Sequence, residues 1–399
     1  MKIAIVEFDY HYLDLYNTIK LFENSSHEIS IFTKQDICNR FLHEPVILKI
    51  NWVLINKETI FKFLQANTTL LNSHDIIYFN TIASNYYAIL KTEFNVPTIL
   101  RIHNSHTYLC PTRFLYFPKS KFELFKAISY IIREMIPNLD FIYIPKLLKK
   151  LDRMCFPDYD VENYVLEQKL IKQDKIFTHF PAATCFSLSN NTDNIIRPLE
   201  ICIPGFIDGR KRDYKLVIKS IEKCISNSKN EINLCLAGKP IGNYGKKVIE
   251  NFKKLENNNF KLKYFDNFIS QKEYDNILIH SDIIIAPLVA ESSFRIYKEI
   301  YGKSKTSGSF LEMIRYGKLI FLPQYFYTSP MLTTLIEKYD SCNSLAIAIT
   351  KYAGDREYFK SRTSKLQNYL LENYSPSKVI KQFEINCAEY FSINKPANS

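Results

Sequence analysis

Residues 281–323 read SDIIIAPLVAESSFRIYKEIYGKSKTSGSFLEMIRYGKLIFLP. An apolar run ends at Pro287, a polar loop follows, and Lys305-Thr306-Ser307-Gly308-Ser309 stands just ahead of a helical pattern that carries Glu312. Gly317 stops that pattern, and a second apolar run begins at Leu319. Short apolar runs alternating with helical segments indicate a parallel sheet covered by helices, an α/β architecture. A small, glycine-containing turn at a helix start is also a place for an anion. Free backbone N–H groups and the positive end of the helix dipole face it together. Lys305 adds a cation, and the hydroxyls of Thr306, Ser307 and Ser309 add donors or a helix cap.

The same alternation extends outward in both directions. In the second half, 232–236, 262–265, 283–287 and 319–323 read as strands, with helices at 214–226, 245–256, 271–280 and 310–316. In the first half, strands are expected at 3–8, 29–33, 76–80, 98–103 and 175–178, with helices at 12–22 and 86–93. This makes two consecutive doubly wound, Rossmann-like domains facing a cleft, 1–195 and 196–375. The polar stretch 189–198 marks the boundary, and 376–399 forms a final helix and tail that can cross back to the first domain. Between 107 and 164 the alternation breaks, and aromatic residues and cations occur together. That stretch reads either as a helical subdomain over the first sheet or as a platform for a lipid surface. In the second reading Phe114, Leu115, Tyr116, Phe117, Phe122, Phe125, Ile131 and Ile132 are apolar contacts. Lys119, Lys121, Lys126, Lys146, Lys149 and Lys150 lie near headgroups.

Two more loops fall where an anion site in the second domain needs them. Pro204-Gly205-Phe206-Ile207-Asp208-Gly209-Arg210-Lys211-Arg212-Asp213 opens that domain, and Leu236-Ala237-Gly238-Lys239-Pro240 ends its next strand. Loops after strand ends converge on one crevice in a doubly wound sheet. Gly205, Gly238, Arg210, Arg212, Lys239 and Lys305 are therefore expected around one diphosphate.

In this order, IPGFIDGRKRDY, LCLAGKP, SDIIIAPL and KTSGSFLEMIRYGK resemble the C-terminal half of GT-B glycosyltransferases, especially the retaining family 4 group. The run Ile99-Leu100-Arg101-Ile102-His103-Asn104-Ser105 resembles their N-terminal half. The resemblance implies a nucleotide-sugar donor on the second domain, an acceptor on the first, and a histidine, His103, facing the donor sugar. It also implies that Glu312, in LEMIRYGK, holds the ribose. Two departures stand out. The family's Glu-x7-Glu motif would place its first acid at Ser304, whereas the pair with that literal spacing is Glu291 and Glu299. Glu299 is thus a second candidate for the catalytic acid, and the choice stays open. The turn Glu7-Phe8-Asp9-Tyr10-His11 lacks the family's glycines, leaving His11 and Asn104 as acceptor-side candidates. Asp158-Tyr159-Asp160 matches the D-x-D metal motif of the other major glycosyltransferase fold but sits in the aromatic stretch. No metal site is expected and no cofactor beyond the nucleotide-sugar substrate.

Composition narrows the class. The 399 residues are 46% hydrophobic and carry a net charge of +11, yet no run approaches the ~20 apolar residues of a membrane span. MKIAIVEF reads as a first strand rather than a leader, and nine cysteines include no CxxC pair. A cytoplasmic protein is expected, peripheral on the inner face of the plasma membrane. The positive excess suits phosphorylated ligands or an anionic bilayer, and no nucleic-acid motif accompanies it. The expected function is transfer of a sugar to a glycan or lipid-linked acceptor in bacterial surface polysaccharide synthesis, retaining and metal-independent. A sugar-nucleotide epimerase and a non-catalytic sugar- or nucleotide-binding partner of an assembly complex are the alternatives.

Overall fold

Strands rich in Ile, Val, Leu and Phe suit a sheet covered on both faces, because each successive side chain then leaves water. The computed structural model describes residues 1–9, 11–41, 50–116, 121–137, 139–186, 197–228 and 230–393, and it contains two such sheets. The strands are β1 (Lys2–Glu7), β2 (Glu28–Lys34), β3 (Asn51–Ile55), β4 (Ile76–Thr81), β5 (Thr98–Arg101), β6 (Arg153–Cys155), β7 (Leu199–Pro204), β8 (Ile232–Ala237), β9 (Phe260–Tyr264), β10 (Ile283–Ile285), β11 (Glu291–Phe294), β12 (Tyr297–Ile300), β13 (Leu319–Pro323) and β14 (Glu337–Tyr339). One sheet runs β3-β2-β1-β4-β5-β6 and the other β14-β13-β10-β7-β8-β9, parallel throughout. Each therefore switches direction beside its own first strand, at β1/β4 and at β7/β10, where doubly wound sheets bind their ligands. β4, β5, β10 and β13 are buried at every position. β11 and β12 form a separate hairpin.

The chain separates into two compact units, though not at one cut. The first comprises Met1–Thr184, Ser293–Glu299 and Pro376–Ser399; the second comprises Cys185–Ser292 and Ile300–Ser375. The tip of the β11–β12 hairpin thus belongs to the first unit. So does the final helix, Pro376–Ile393, whose Val379, Phe383 and Cys387 recur every fourth residue and enter the first core. There Phe383 meets Phe22, Phe177 and Phe180 with ring centroids 5.2–5.4 Å apart. The stretch 187–196, where most of the expected boundary falls, lies outside the described residues.

Several expectations change. The run 175–178 is no strand: Gln173–Lys175 is a 3₁₀ turn, and Ile176 makes a lone bridge to Met154. The sixth strand is β6, only three residues long, inside the stretch set apart as an insertion. The strand expected at 98–103 stops at Arg101. Of the residues proposed for a lipid platform, Phe117 and Lys119 and the side chain of Phe122 lie outside the described part. Phe114 stacks on His106 with centroids 3.5 Å apart, and Lys150 donates to the carbonyls of Leu90 and Thr92, so neither faces a headgroup.

Candidate functional site

In the first unit, β1, β4 and β5 end at Glu7, Thr81 and Arg101, and the side chains beyond those ends make one polar cluster. His11 precedes the helix Tyr12–Phe22 and places Nδ1 2.9 Å from the Asp14 carboxylate, one turn on. His103 stacks on His11, centroids 3.9 Å apart and planes 6° from parallel. Its Nε2 lies 3.0 Å from the Asn80 carbonyl oxygen, which can only accept, so that nitrogen carries the hydrogen. Nδ1 then faces Asp14 at 3.5 Å. Burial first, then the neighbouring charge of His11, pushes His103 down to about 3 and holds it neutral near neutral pH. Burial alone would raise the Asp14 carboxyl, but the His11 hydrogen bond and nearby positive charge bring it below the ordinary range. Glu7 goes the other way. It is fully buried, and burial raises it to about 7 despite hydrogen bonds from Asn80 Nδ2 and the Asp9 N–H. Asn104 Oδ1 and Ser105 Oγ are buried with no hydrogen-bond partner among the described residues.

Among the described residues, His11, Asp14 and His103 could hold a metal, with one ligand atom of each within 4.8 Å of the others. The face-to-face stacking works against it. A metal lies near the plane of each imidazole it binds, so two parallel rings cannot share an ion unless one turns. The sequence points to His11 and His103 but does not mark Asp14, Glu7 or Asn80. The His11–Asp14 spacing of one helical turn was the available signal.

Glu299 requires a correction. It is fully buried in the first unit, and its Oε1 accepts from the Thr107 N–H at 2.9 Å and the Thr107 hydroxyl at 2.7 Å. His106 is bound to the Lys298 carbonyl oxygen at 2.8 Å and to the Tyr164 hydroxyl at 2.9 Å. Arg295, also in this segment, pairs with Asp140 at 2.9 Å. These contacts anchor Ser293–Glu299. A carboxylate with no exposed surface, held by Thr107, braces this segment, and the structure does not present it at a surface as the reading of Glu299 as a catalytic acid requires. Asp158 and Asp160 are buried as well. Asp158 accepts from the Val161 N–H at 2.8 Å and caps the helix Tyr159–Glu167, a structural use for the D-x-D residue.

In the second unit the corresponding edge carries cations. Gly205 has φ +88°, and a Cβ there would lie 2.7 Å from Arg212 Nη2. Arg212 donates to the Pro204 and Phe206 carbonyls and so shapes the Gly205 turn. Gly238 backs directly onto that turn: a Cβ would meet the Gly205 carbonyl oxygen at 2.2 Å. Arg210 pairs with Asp208, and Lys239 lies 5.2 Å from the centre of the exposed Phe268 ring. Lys211, not singled out from the sequence, is lowered by burial and by the charges of Lys305 and Arg212 nearby. Ser307 caps the helix Gly308–Tyr316 by accepting from the Phe310 N–H at 3.1 Å. The Thr306 and Ser309 hydroxyls beside that cap are buried with no partner among the described residues, while a Cβ on Gly308 would meet nothing within 4 Å. The turn is therefore polar, with room at its tip. Glu312 is buried against Arg315 at 3.0 Å and Tyr274 at 3.4 Å, so its carboxylate faces its own unit's interior. Ser304, at the place of the first acid of the glutamate motif, is buried and accepts from the Ile300 N–H at 2.8 Å.

No protein-family model matches this chain, and no curated protein sequence matches it. Solved structures do. A protein of Anabaena, HepE, solved in complex with UDP-glucose, is similar at TM-score 0.60 and 11% identity, covering 98% of this chain and 100% of that one. A mutant of S. aureus TarM, in complex with fondaparinux, α-GlcNAc-glycerol and UDP, is similar at TM-score 0.63 and 10% identity, covering 97% and 99%. The lipopolysaccharide outer core galactosyltransferase WaaB, in its apo form, is similar at TM-score 0.54 and 12% identity, covering 98% and 100%. The chain has the GT-B fold, with two parallel six-stranded sheets and their helices.

Proposed function

We propose that this chain is a glycosyltransferase that takes a sugar from a nucleotide-sugar donor bound by its second unit. The observation that carries the reading is the turn before the helix Gly308–Tyr316. Buried, unpartnered hydroxyls of Thr306 and Ser309 flank its N-terminus, and Lys305 precedes it, near enough to Lys211 for the two charges to act on each other. Helix N–H groups, hydroxyls and ammonium groups together form a cradle for a diphosphate. Gly205 and Gly238 support the reading by letting two loops approach at backbone distance. HepE and TarM, two of the structures similar to this chain, were solved with UDP-glucose and with UDP.

Departure of the sugar builds negative charge on the diphosphate. Lys305, Lys211 and the N–H groups of the helix start stabilise that charge, in place of a metal ion. Arg212 acts through the loop it holds, and Lys239 adds to the positive field. On the first unit, His103 is neutral and fixed by Asn80. It therefore serves as a hydrogen-bonding contact for a sugar hydroxyl rather than as a proton carrier. His11 and Asn104 lie on the acceptor side. The acceptor is a glycan or a lipid-linked chain, the setting is bacterial surface polysaccharide synthesis at the cytoplasmic face of the plasma membrane, and the configuration at the anomeric carbon is retained, as the family resemblance implies.

A panel of nucleotide-sugars and free nucleoside diphosphates, read by thermal shift, tests the donor assignment, since a ligand bound to the folded state raises its stability by mass action. At least one nucleoside diphosphate is expected to raise the melting temperature of the wild type and not of Lys305→Ala. No shift with any of them would remove the assignment.

A further inference from the structure

The helix Lys121–Tyr130 and the π-turn Ile131–Met135 that continues it are apolar on two neighbouring faces, about 100° apart around the axis. One side already has a partner. Ala127, Tyr130, Ile131 and Met135 pack against Ile296 and Tyr297 of the anchored hairpin. The other side is in water: Leu124, Phe125, Ile128, Ile132 and Ile136 are all exposed, Phe125 to 69% and Ile132 to 61%. Phe141 and Ile142, at the start of the helix Asp140–Lys150, are exposed too.

The spacing of this second stripe is regular. Leu124, Ile128, Ile132 and Ile136 recur every four residues. In an α-helix of 3.6 residues per turn, such a repeat drifts about 40° around the axis per step. The wider π-turn takes part of that drift back over its last steps, keeping Ile132 and Ile136 in line with Leu124 and Ile128. A helix stapled to its own unit by one side gains nothing within the fold from a second aligned apolar row. Single exposed apolar residues are ordinary, but a continuous set is the mark of an interaction surface.

We propose that this outer face docks on an anionic lipid bilayer. The charges beside the stripe select the partner. Lys121, Lys126, Arg133, Lys146 and Lys149 are exposed around it, against one exposed acid, Glu134, among the side chains described there. Asp140 is buried in its pair with Arg295. Protein interfaces are depleted of lysine, whereas this face carries four exposed lysines beside its apolar row. A segment lying at the headgroup boundary needs the mixture seen here: branched and aromatic side chains to enter the acyl region and cations to sit among phosphates. The surface shares no residue with the donor turn, so the inference goes beyond the transferase reading and stands or falls apart from it.

Flotation of the full chain with vesicles of phosphatidylcholine, with and without phosphatidylglycerol, tests this. The wild type is expected to float with the anionic vesicles, less so as salt rises, and hardly at all with the zwitterionic ones. The double substitution Phe125→Glu, Ile132→Glu should lower the bound fraction at least about tenfold. Reversal of Lys126, Lys146 and Lys149 to Glu should do so at low salt. In both variants the melting temperature without ligand should stay near that of the wild type, showing that the fold is intact. Three results overturn the proposal: no flotation of the wild type at low salt, flotation of both variants at the wild-type level, or a wild-type dimer that does not float and that the Phe125→Glu, Ile132→Glu variant turns into a monomer. The last would give the face to a second copy of the chain.

Discussion

The two sheets have the same strand order, yet the residues at their carboxyl edges do opposite things. In the first unit the edge is built around acids and histidines that satisfy one another: Asp14 with His11, His103 with Asn80, Glu7 with Asn80 and Asp9. In the second it is built around cations, glycines that let backbone meet backbone, and hydroxyls left without partners. The first edge pairs its acids with an imidazole and amides, though Asn104 Oδ1 and Ser105 Oγ beside it also lack partners; the second gathers cations that an anionic ligand would neutralise. Topology supplies two equivalent crevices, and the side chains at the strand ends decide which takes an anion.

The comparison breaks most visibly at Lys305. If the second edge stabilises a departing diphosphate, Lys305→Ala should remove about 2–4 kcal/mol of transition-state stabilisation, a factor of about 30 to 10³ in kcat. Donor hydrolysis measured on a folded variant checks it, and a change under threefold would leave the edge without its assigned role. A smaller effect is expected at Gly238→Ala. The new methyl would meet the Gly205 carbonyl oxygen and the Phe206 nitrogen, and backbone cannot swing aside as a side chain can. A loss of about 1–3 kcal/mol in stability is expected, together with weaker nucleotide binding, because the Gly205 turn must move. Urea denaturation with and without nucleoside diphosphate reads both.

This asymmetry was only partly legible in the sequence. The second edge declared itself because its elements are local: a glycine, a lysine and a capped helix start lie within five residues at Lys305–Ser309. The first edge did not, because Glu7, Asn80 and His103 come from separate strand ends and Asp14 from the helix after β1, and nothing in one sequence brings these segments together. Strands such as β1, β4 and β13 are apolar runs of five or six residues and stand out in the sequence. β6 and β14, three residues each, carry too short a pattern to stand out, and β7 was passed over beside the boundary stretch. Glu299 misled by spacing. Its distance from Glu291 matched a motif, while its burial depends on Thr107, far away in the chain. The final helix was expected, and its apolar repeat explains its docking into the first core.

Acidity sharpens the comparison on the first edge, where two groups act with opposite sign. His103 is held at about 3 in the folded chain against 6.5 ordinarily. Below 6.5 the unfolded chain takes up a proton that the folded one refuses, so this group's contribution falls as pH drops toward 3, by about 1.4 kcal/mol per pH unit. Glu7 is raised to about 7 from 4.5. Its contribution is complete below 4.5 and is lost as pH rises through 7, with the same slope. Between 4.5 and 6.5 the two slopes offset each other. His103→Gln should therefore make stability, relative to the wild type, fall as pH rises across that window, and Glu7→Gln should make it fall as pH drops. Urea midpoints at several pH values decide this. A pair of variants whose profiles stay parallel to the wild type would show that neither group is held as its surroundings indicate.

The smallest effect expected belongs to Asp158, and it separates a helix cap from a metal ligand. Its carboxylate accepts from the Val161 N–H at the start of Tyr159–Glu167, with its own backbone extended, the ordinary geometry of a capping residue. A cap needs an acceptor oxygen and no charge. Asn keeps the oxygen, so Asp158→Asn should cost a few tenths of a kcal/mol, while Asp158→Ala should cost about 1 kcal/mol by leaving the N–H without its partner. A D-x-D metal ligand would give another pattern. Asn, having lost the charge that holds a divalent ion, would then be nearly as damaging to turnover as Ala, and a chelator would match both. Melting temperatures and donor turnover of the two variants, each with and without chelator, distinguish the cases. The cap requires stability to rank wild type, Asn, Ala with turnover nearly level. Equal and severe loss of turnover in both variants, restored by added Mn²⁺ in the wild type after chelation, would return this residue to catalysis and place a metal in the first unit.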